Sequence, residues 1–505
     1  MVMTEDVEQV SLADAAGPLV LALDAGSSSA RAGLVDAQGR RLAGSLVQTR
    51  YQLQTTPDGG AVLPPVELGE IVDDLIDKAL AAGGGTGKIA AIASSTFWHS
   101  LLGIDEAGTP VSPLYTWADT RATPMVARLR ERLDPEAYHR RTGCILHPSY
   151  WPAKLLWIQE SQPDEWARAR RWVSFGDYLL LRWFGRASCS ISMASGTGLF
   201  DETTLTWDPP TLGAVGLSPD KLAPLGDEPL RGLLPAYAAR WPALDGLEWY
   251  PALGDGACSN VGSGAADARF LGITIGTTGA MRLLWEGPPV APPPGLWLYR
   301  LDARRVLLGG ALSEGGSLFG WIGSHLRLPD AAALSAALEA IAPDSHGLTW
   351  LPFLAGERSP GWVGDARATL SGLTLDTTGV EILRAGLEAV AERFALLMRL
   401  IDAAMPGQRT VVASGAALLH DPVWMQILAD ALGREVVAPR VSEASFRGVA
   451  LVALERLGVV RELETAAAAA LVEATRHLPD PASHAIYQAA LERQQALYHA
   501  LIKEE

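Results

Sequence analysis

The chain has 505 residues, 48% of them hydrophobic, with 41 basic against 57 acidic side chains and a net charge of −16. That length exceeds what one hydrophobic core supports, so two or more domains are expected, and the acidity argues against nonspecific nucleic-acid binding or attachment to an anionic membrane, both of which need a basic face. Three cysteines, Cys144, Cys189 and Cys258, lie far apart and cannot all pair; with no CxxC among them, a reducing compartment is expected and a zinc site is not.

Residues 1–17 are acidic and lack the basic-then-apolar order of a signal peptide, so a short disordered lead is expected. No apolar run approaches the ~18 residues of a membrane helix, which predicts a soluble, cytoplasmic protein. Residues 19–35 (LVLALDAGSSSARAGLV) read as strand, tight turn, strand. A strand at 42–51 follows the turn Ala37-Gln38-Gly39. The helical periodicity of 68–82 stops at Gly83-Gly84-Gly85, and buried strands follow at 89–94 and 101–105. Helices are predicted at 123–133, 153–159 and 178–184, and this alternation of strands and helices argues for an α/β domain. At 254–264 the composition turns to Gly, Ala and Ser, which reads as a hinge between lobes. Residues 270–284 (FLGITIGTTGAMRLL) then repeat the strand–turn–strand unit. Further strands are expected at 296–301 and 305–310, and helices at 314–326, 331–341 and 379–404. A strand at 409–413 leads into Ser414-Gly415-Ala416-Ala417 and a helix beginning near Pro422. Residues 465–471 read as helix, and residues 481–505 as one amphipathic helix packing back on the body. The predicted division is a lead (1–17), a first lobe (18–264), a second lobe (265–480) and the terminal helix.

The two hairpin turns carry the chemistry. Asp24-Ala25-Gly26-Ser27-Ser28-Ser29 and Gly276-Thr277-Thr278-Gly279 each expose backbone N–H groups and hydroxyls at one point, which suits phosphate oxygens. Either alone reads first as an ordinary hairpin; their repetition, and what lies between them, suggests two lobes gripping one phosphate chain. Asp24 adds a carboxylate suited to Mg²⁺. Asp255, in Gly254-Asp255-Gly256, is either a turn former or the base that accepts a hydroxyl proton during phosphoryl transfer. The GGGTGK run at 83–88 fails the spacing of a phosphate-binding P-loop, and Gly262-Ser263-Gly264 is not a nucleophile elbow. The nine histidines form no metal-binding pattern.

Taken in order, these segments resemble the FGGY family of carbohydrate kinases over roughly residues 18–460. The resemblance rests on Asp24 to Arg31 (a DxGTxSxR pattern with Ser27 in place of threonine), Gly254-Asp255-Gly256 and Gly276–Gly279. It also rests on LPFLAGERSP at 351–360 followed by Asp365-Ala366-Arg367, and on Ser414–Ala417 with the helix after Pro422. It implies an α/β fold of two actin-like (ribonuclease H-like) lobes of the sugar kinase/Hsp70/actin superfamily around a central cleft. It further implies an ATP- and Mg²⁺-dependent kinase with Asp255 as general base, and Asp24 and Asp255 at the metal. Phosphate and nucleotide contacts are implied for Gly26, Ser27, Ser28, Ser29, Arg31, Gly276, Thr277, Thr278, Gly279, Gly315, Gly415, Ala416, Ala417 and Gln426. Ala416 stands where the family's adenosine loop usually has a second glycine, and its methyl is expected to require a small adjustment at the nucleotide.

Substrate contacts are implied for Trp98, His99, Asp119, Arg121 and Asp255. On residues alone, His99 reads equally as a satisfied core histidine, and Asp119 and Arg121 as partners of neighbours. TWADTR at 116–121, RTGCILHP at 141–148 and IGTTGAMR at 275–282 are most similar to gluconokinases of the family, with xylulokinases next. Gluconate carries a carboxylate, for which Arg121, Lys154 and His147 are the candidate cations. The partners expected are therefore ATP and a small sugar or sugar acid, with no nucleic acid and no membrane; the oligomeric state, homodimer included, is not fixed by sequence. The rival readings are a xylulose or polyol kinase, a nucleotide-driven binding module, and a sugar sensor descended from a kinase.

Overall fold

A computed structural model describes residues 9–502 except Gly85 and His420. In the first lobe, β1 (Leu19–Ala25) and β2 (Ser29–Val35) form an antiparallel hairpin, α1 (Pro65–Gly83) packs on β2, and β3 (Ile89–Thr96) returns parallel to β1. β1 is buried at every position, which is why its sequence is a continuous apolar run rather than an alternating one. Leu253–Gly254 adds a further parallel strand beside β3 and feeds directly into α2 (Asp255–Ser263).

The second lobe repeats the scheme. β4 (Phe270–Ile275) is antiparallel to β5 (Gly279–Glu286), which pairs with β6 (Arg305–Leu312). After α3 (Gly316–His325) and the long α4 (Gly379–Ala404), β7 (Thr410–Ser414) returns parallel to β4. Thr378 starts α4 with a reciprocal capping box to Glu381. α5 (Pro422–Leu432) and α6 (Ala444–Arg456) follow. Hairpin plus parallel return therefore occurs twice, as the repeated sequence unit predicts. α7 (Pro481–Leu501), capped by Asp480 on the Ser483 N–H, packs on α4 and α5. Cys144, Cys189 and Cys258 are buried and unpaired.

Three expectations need correction. Residues 254–264 are not a hinge: they are α2, and its small residues serve close packing. A Cβ on Gly262 would lie 1.7 Å from the Ala444 carbonyl oxygen, and one on Gly448 would lie 1.9 Å from that of Cys258, so α2 and α6 touch backbone to backbone. The lobe boundary is also crossed, because α6 buries Phe446, Val449 and Leu451 in the first lobe's core although it follows the second lobe in sequence. Of the lead expected to be disordered, residues 1–8 lie outside the described residues, while Gln9–Val10 forms a parallel strand with Arg41–Leu42. Residues 503–505 of the terminal helix, and Gly85 in the 83–88 turn, also lie outside the described residues.

Candidate active site

The turns after β1 and β4 and the loop after β7 carry the phosphate-site candidates. In the first, Gly26 N–H donates to Ser29 O at 2.9 Å and the Tyr51 hydroxyl donates to Gly26 O at 2.6 Å. Ser28 is exposed, Ser27 half-buried and Ser29 buried. Asp24 accepts from Ser95 Oγ (2.6 Å) on one oxygen and from Arg31 Nη1 (2.9 Å) on the other. In the second turn, Gly276 N–H donates to Thr278 O (3.0 Å), while Gly276 O and Thr277 O accept the Gly316 and Ser317 amides at 2.8 and 3.1 Å. A Cβ on Gly315 would lie 2.8 Å from the Thr278 carbonyl carbon, so only glycine lets the start of α3 rest on this turn. Gly279 is closed in by Phe394 on α4.

In the third loop Gly415 has φ +94°, and a Cβ there would lie 2.3 Å from Ile275 O. Ala417 approaches Gly316, where a Cβ would meet its methyl at 2.7 Å, so residues 276–279, 315–316 and 415–417 converge. Ala416 opens the short helix Ala416–Leu419 and is exposed; its methyl rests on ordinary helical backbone. The amide nitrogen of Gln426 is committed to Asp430 Oδ1 and Leu478 O, both at 2.9 Å, tying α5 to the 478 segment rather than standing free for a nucleotide.

Asp255 is the first residue of α2. Its carboxylate accepts the Gly256 N–H at 2.7 Å, and Ser445 on α6 donates to its carbonyl at 3.2 Å. Gly254 and Gly256 make room for the Trp98 ring, which a Cβ on either would meet at 1.9 or 2.8 Å. Asp255 as a residue is half-buried. Burial raises its pKa to about 6; the Asp24 carboxylate adds to the rise, and the Arg282 guanidinium opposes it. Asp24 and Asp255, 231 positions apart, are thus brought together electrostatically. Two mutually repelling hard-oxygen carboxylates, with lone pairs left on Asp24, are a donor set that fits a divalent magnesium ion.

Arg282, on β5, was not singled out from the sequence. Its Nη1 donates to Thr274 Oγ1 at 3.2 Å, its Nε is buried without a partner, and its nearness to Asp255 is marked by a 3.0 Å approach to a Cβ placed on Gly256. Every second residue of β5 shares a face, so the signal was its register after the Gly276–Gly279 turn.

Residues of the first lobe also join Trp297 and Tyr299 in a buried cluster of rings. Trp98 is one of them: its indole N–H donates to Ser192 O at 2.9 Å and its ring packs on Trp297 and Tyr299. His99, at φ +66°, has Nδ1 2.5 Å from Gly196 O and lies edge-on to Tyr150 and Tyr299. Burial lowers its pKa to about 3, with Lys154 and Arg358 adding to the fall, so it is a neutral imidazole. Asp119 and Arg121 pair with each other at 2.6 Å, with Asp119 also taking the Ala61 N–H and Arg121 stacked over Trp157. Lys154 is likewise engaged, its Nζ donating to the Pro148 and Ser149 carbonyls, and burial lowers its pKa to about 7. His147 accepts the Ser149 N–H and is held neutral by burial and by Arg358 and Lys154. All three cations considered for a carboxylate are therefore committed elsewhere or uncharged.

The profile described as the FGGY family of carbohydrate kinases, N-terminal domain, matches residues 19–262, and that of the C-terminal domain matches residues 271–455. The chain belongs to the FGGY family of carbohydrate kinases. It is accordingly a carbohydrate kinase, an ATP-dependent phosphotransferase with an alcohol group as acceptor, with two actin-like lobes. A gluconokinase of Bacillus subtilis (strain 168) is 28% identical over 406 residues, covering 78% of this FGGY chain and 79% of that protein. A xylulose kinase of Streptomyces rubiginosus is 31% identical over 471 residues, covering 90% and 92%. Among solved structures, a gluconate kinase from Lactobacillus acidophilus superposes with TM-score 0.89 at 25% identity, covering 96% of this chain and 98% of that one. No helix among the described residues of this FGGY kinase is long and apolar enough to cross a membrane.

Proposed function

We propose that this kinase phosphorylates the terminal hydroxyl of a sugar acid, D-gluconate to 6-phosphogluconate being the foremost case, with ATP as donor. The observation carrying the kinase chemistry is Asp255, held near Asp24 with its pKa raised to about 6. A carboxylate of that basicity can take the proton of the attacking hydroxyl near neutral pH. The Gly256 N–H holds one of its oxygens, and the Trp98 backbone also donates to the carboxylate. Arg282 stands beside Asp255 and would balance negative charge at the transfer point. The converging segments 276–279, 315–316 and 415–417, with Thr277 and Thr278, would hold one part of the phosphate chain and the first turn, with Ser27, another. Asp24 and Asp255 would hold Mg²⁺, which when bound supplies charge neutralisation. The neutral His99 is suited to a sugar hydroxyl, since its Nδ1–H donates to the Gly196 carbonyl and leaves Nε2 to accept. Support for a sugar acid comes from the gluconokinase and gluconate kinase among the relatives; a ketopentose such as xylulose is the second reading, favoured by the xylulose kinase relative.

A coupled ADP-release assay against gluconate, xylulose, ribulose, arabinitol, xylitol, erythritol and glycerol tests this. Gluconate is expected to give the highest kcat/KM, and a decisive preference for xylulose overturns the sugar-acid reading. The pH profile supplies a second check. Asp255 must be deprotonated to act, and a raised pKa means protonation sets in at higher pH than for a free aspartate. Hence kcat/KM should be flat above pH 7 and fall about tenfold per pH unit once pH drops below about 6. A plateau extending down to pH 4.5 removes Asp255 as the titrating base.

A further inference from the structure

We infer that Tyr498, in the last turn of α7, is a positioning residue for sugar binding: through Glu357 it fixes the 357–362 loop that brings Arg358 and Trp362 against the first lobe. The inference rests on the sugar lying beside Trp98 and His99, and not on which sugar is taken. α7 lies beyond the family profile, which ends at residue 455, yet its Tyr498 hydroxyl reaches the LPFLAGERSP segment on which the family resemblance rests. Glu357 is buried, and its carboxylate is claimed from three sides. Oε2 accepts the Tyr498 hydroxyl at 2.6 Å, while Oε1 accepts the Gly361 N–H at 3.2 Å and the Arg393 guanidinium of α4. Tyr498 packs with Leu351, Phe353 and Ala366 in a small core of its own, separate from those of the two lobes. Gly361 makes the contact possible: a Cβ there would lie 2.0 Å from Glu357 Oε2 and 2.1 Å from the Tyr498 hydroxyl oxygen.

The loop is closed at its neck, where the Glu357 N–H donates to Val363 O at 2.9 Å and the Trp362 N–H to Arg358 O at 2.6 Å. Trp362 is held at φ +56°, a conformation that a bulky residue adopts only when its surroundings impose it. The loop's other face meets the first lobe. The Arg358 guanidinium lies 5.5 Å from the Trp117 ring centroid, and the Trp362 ring lies 4.9 Å from that of His147. The charge of Arg358 acts on His99 and on Arg282, and the Glu314 carboxylate acts on Arg358 in turn. One face of the loop therefore belongs to the sugar side of the cleft, and the other is pinned by α7. Leaving a buried carboxylate oxygen without its donor is costly, so Glu357 reorients when the hydroxyl is lost and carries the adjoining Arg358 with it. Docking of α7 does not depend on that hydroxyl. Gln494 Nε2 donates to the Trp350 and Ala389 carbonyls at 3.0 and 3.2 Å, and Tyr487 donates to Glu388 at 2.9 Å. Removing the Tyr498 hydroxyl thus frees the loop without releasing the helix.

The test is steady-state kinetics of Tyr498→Phe with D-gluconate, or with D-xylulose if that is the sugar preferred. KM for the sugar should rise about tenfold, with kcat and KM for ATP within about twofold, because the lost hydrogen bond is to a charged group and its effect falls on sugar binding alone. Gly361→Ala crowds the same hydroxyl and should act likewise; it decides the matter if Tyr498→Phe does not fold, as judged by melting temperature. Arg358→Gln should raise the same KM by about 100-fold. In the Arg358→Gln background Tyr498→Phe should add less than about twofold, as residues acting in series do. Effects that multiply in the double variant, or an unchanged sugar KM in folded Tyr498→Phe, reduce Tyr498 to a structural anchor and overturn the inference. A raised KM for ATP in place of the sugar's overturns it as well. An unchanged sugar KM in folded Arg358→Gln overturns the placement of the sugar and this inference together, with the kinase activity untouched.

Discussion

Asp255→Asn is expected to lower kcat by about 10²–10⁴-fold, the usual worth of a positioned general base. Affinity for the sugar found by the substrate panel, measured calorimetrically, should stay within about threefold, because the loss falls on the transition state alone. Asparagine suits this comparison physically. Its side-chain oxygen can still accept the Gly256 N–H that now bonds Asp255 at 2.7 Å, so the first turn of α2 survives. It also removes the like charge facing Asp24, so the variant should be no less stable than the parent at neutral pH. Near-normal turnover in Asp255→Asn would leave the base unassigned and return Asp255 to the role of a helix-starting turn residue.

The second large effect is on stability. Gly448→Ala places a Cβ 1.9 Å from the Cys258 carbonyl oxygen, and Gly262→Ala places one 1.7 Å from that of Ala444. Neither obstacle is a flexible side-chain end, so relief requires α2 and α6 to move apart. Overpacking of this kind costs about 3 kcal/mol or more. Urea denaturation should show it as a lower midpoint, together with lost activity, since Asp255 begins α2. Gly213→Ala is the control: it lies in the short helix Pro209–Val215, and a Cβ there meets nothing within 4 Å. Its effect should be neutral or stabilising by about 0.5 kcal/mol. Equal midpoints for Gly448→Ala and Gly213→Ala would mean that the two helices are not in rigid backbone contact.

What could be read from the sequence was whatever is encoded locally. The paired hairpins around Gly26 and Gly276, and the repeated α/β order, follow from turn chemistry and short-range apolar pattern. What could not be read depends on partners distant in the chain. The apolar residues of α6 say that it is buried, but not in which lobe. The small residues of 254–264 fit a flexible hinge or a close helix contact equally well, and only the facing Gly448 decides between them. Arg121 and Lys154 look available until Asp119 and the Pro148 and Ser149 carbonyls are seen to claim them. Asp24 and Gly279 are conspicuous in the sequence because they flank tight strand-to-strand turns, whereas Gly415 was carried over by resemblance. Gln426 was carried over by resemblance alone, and its amide nitrogen bonds elsewhere.

The return of α6 to the first lobe also bears on how the protein is made. Arg447 on α6 donates to the Gly262 carbonyl across 185 positions of sequence. At ordinary synthesis rates a nascent chain waits roughly 10–40 s between emergence of α2 and emergence of its partner. During that interval β1, β3 and α2 lack the cover that Phe446, Val449 and Leu451 later provide. The sheet bearing Asp24 and the helix bearing Asp255 therefore mature late, after most of the second lobe has been translated. Such long-range closure slows folding and leaves apolar surface open to wrong partners, so holding chaperones should raise the yield of active kinase.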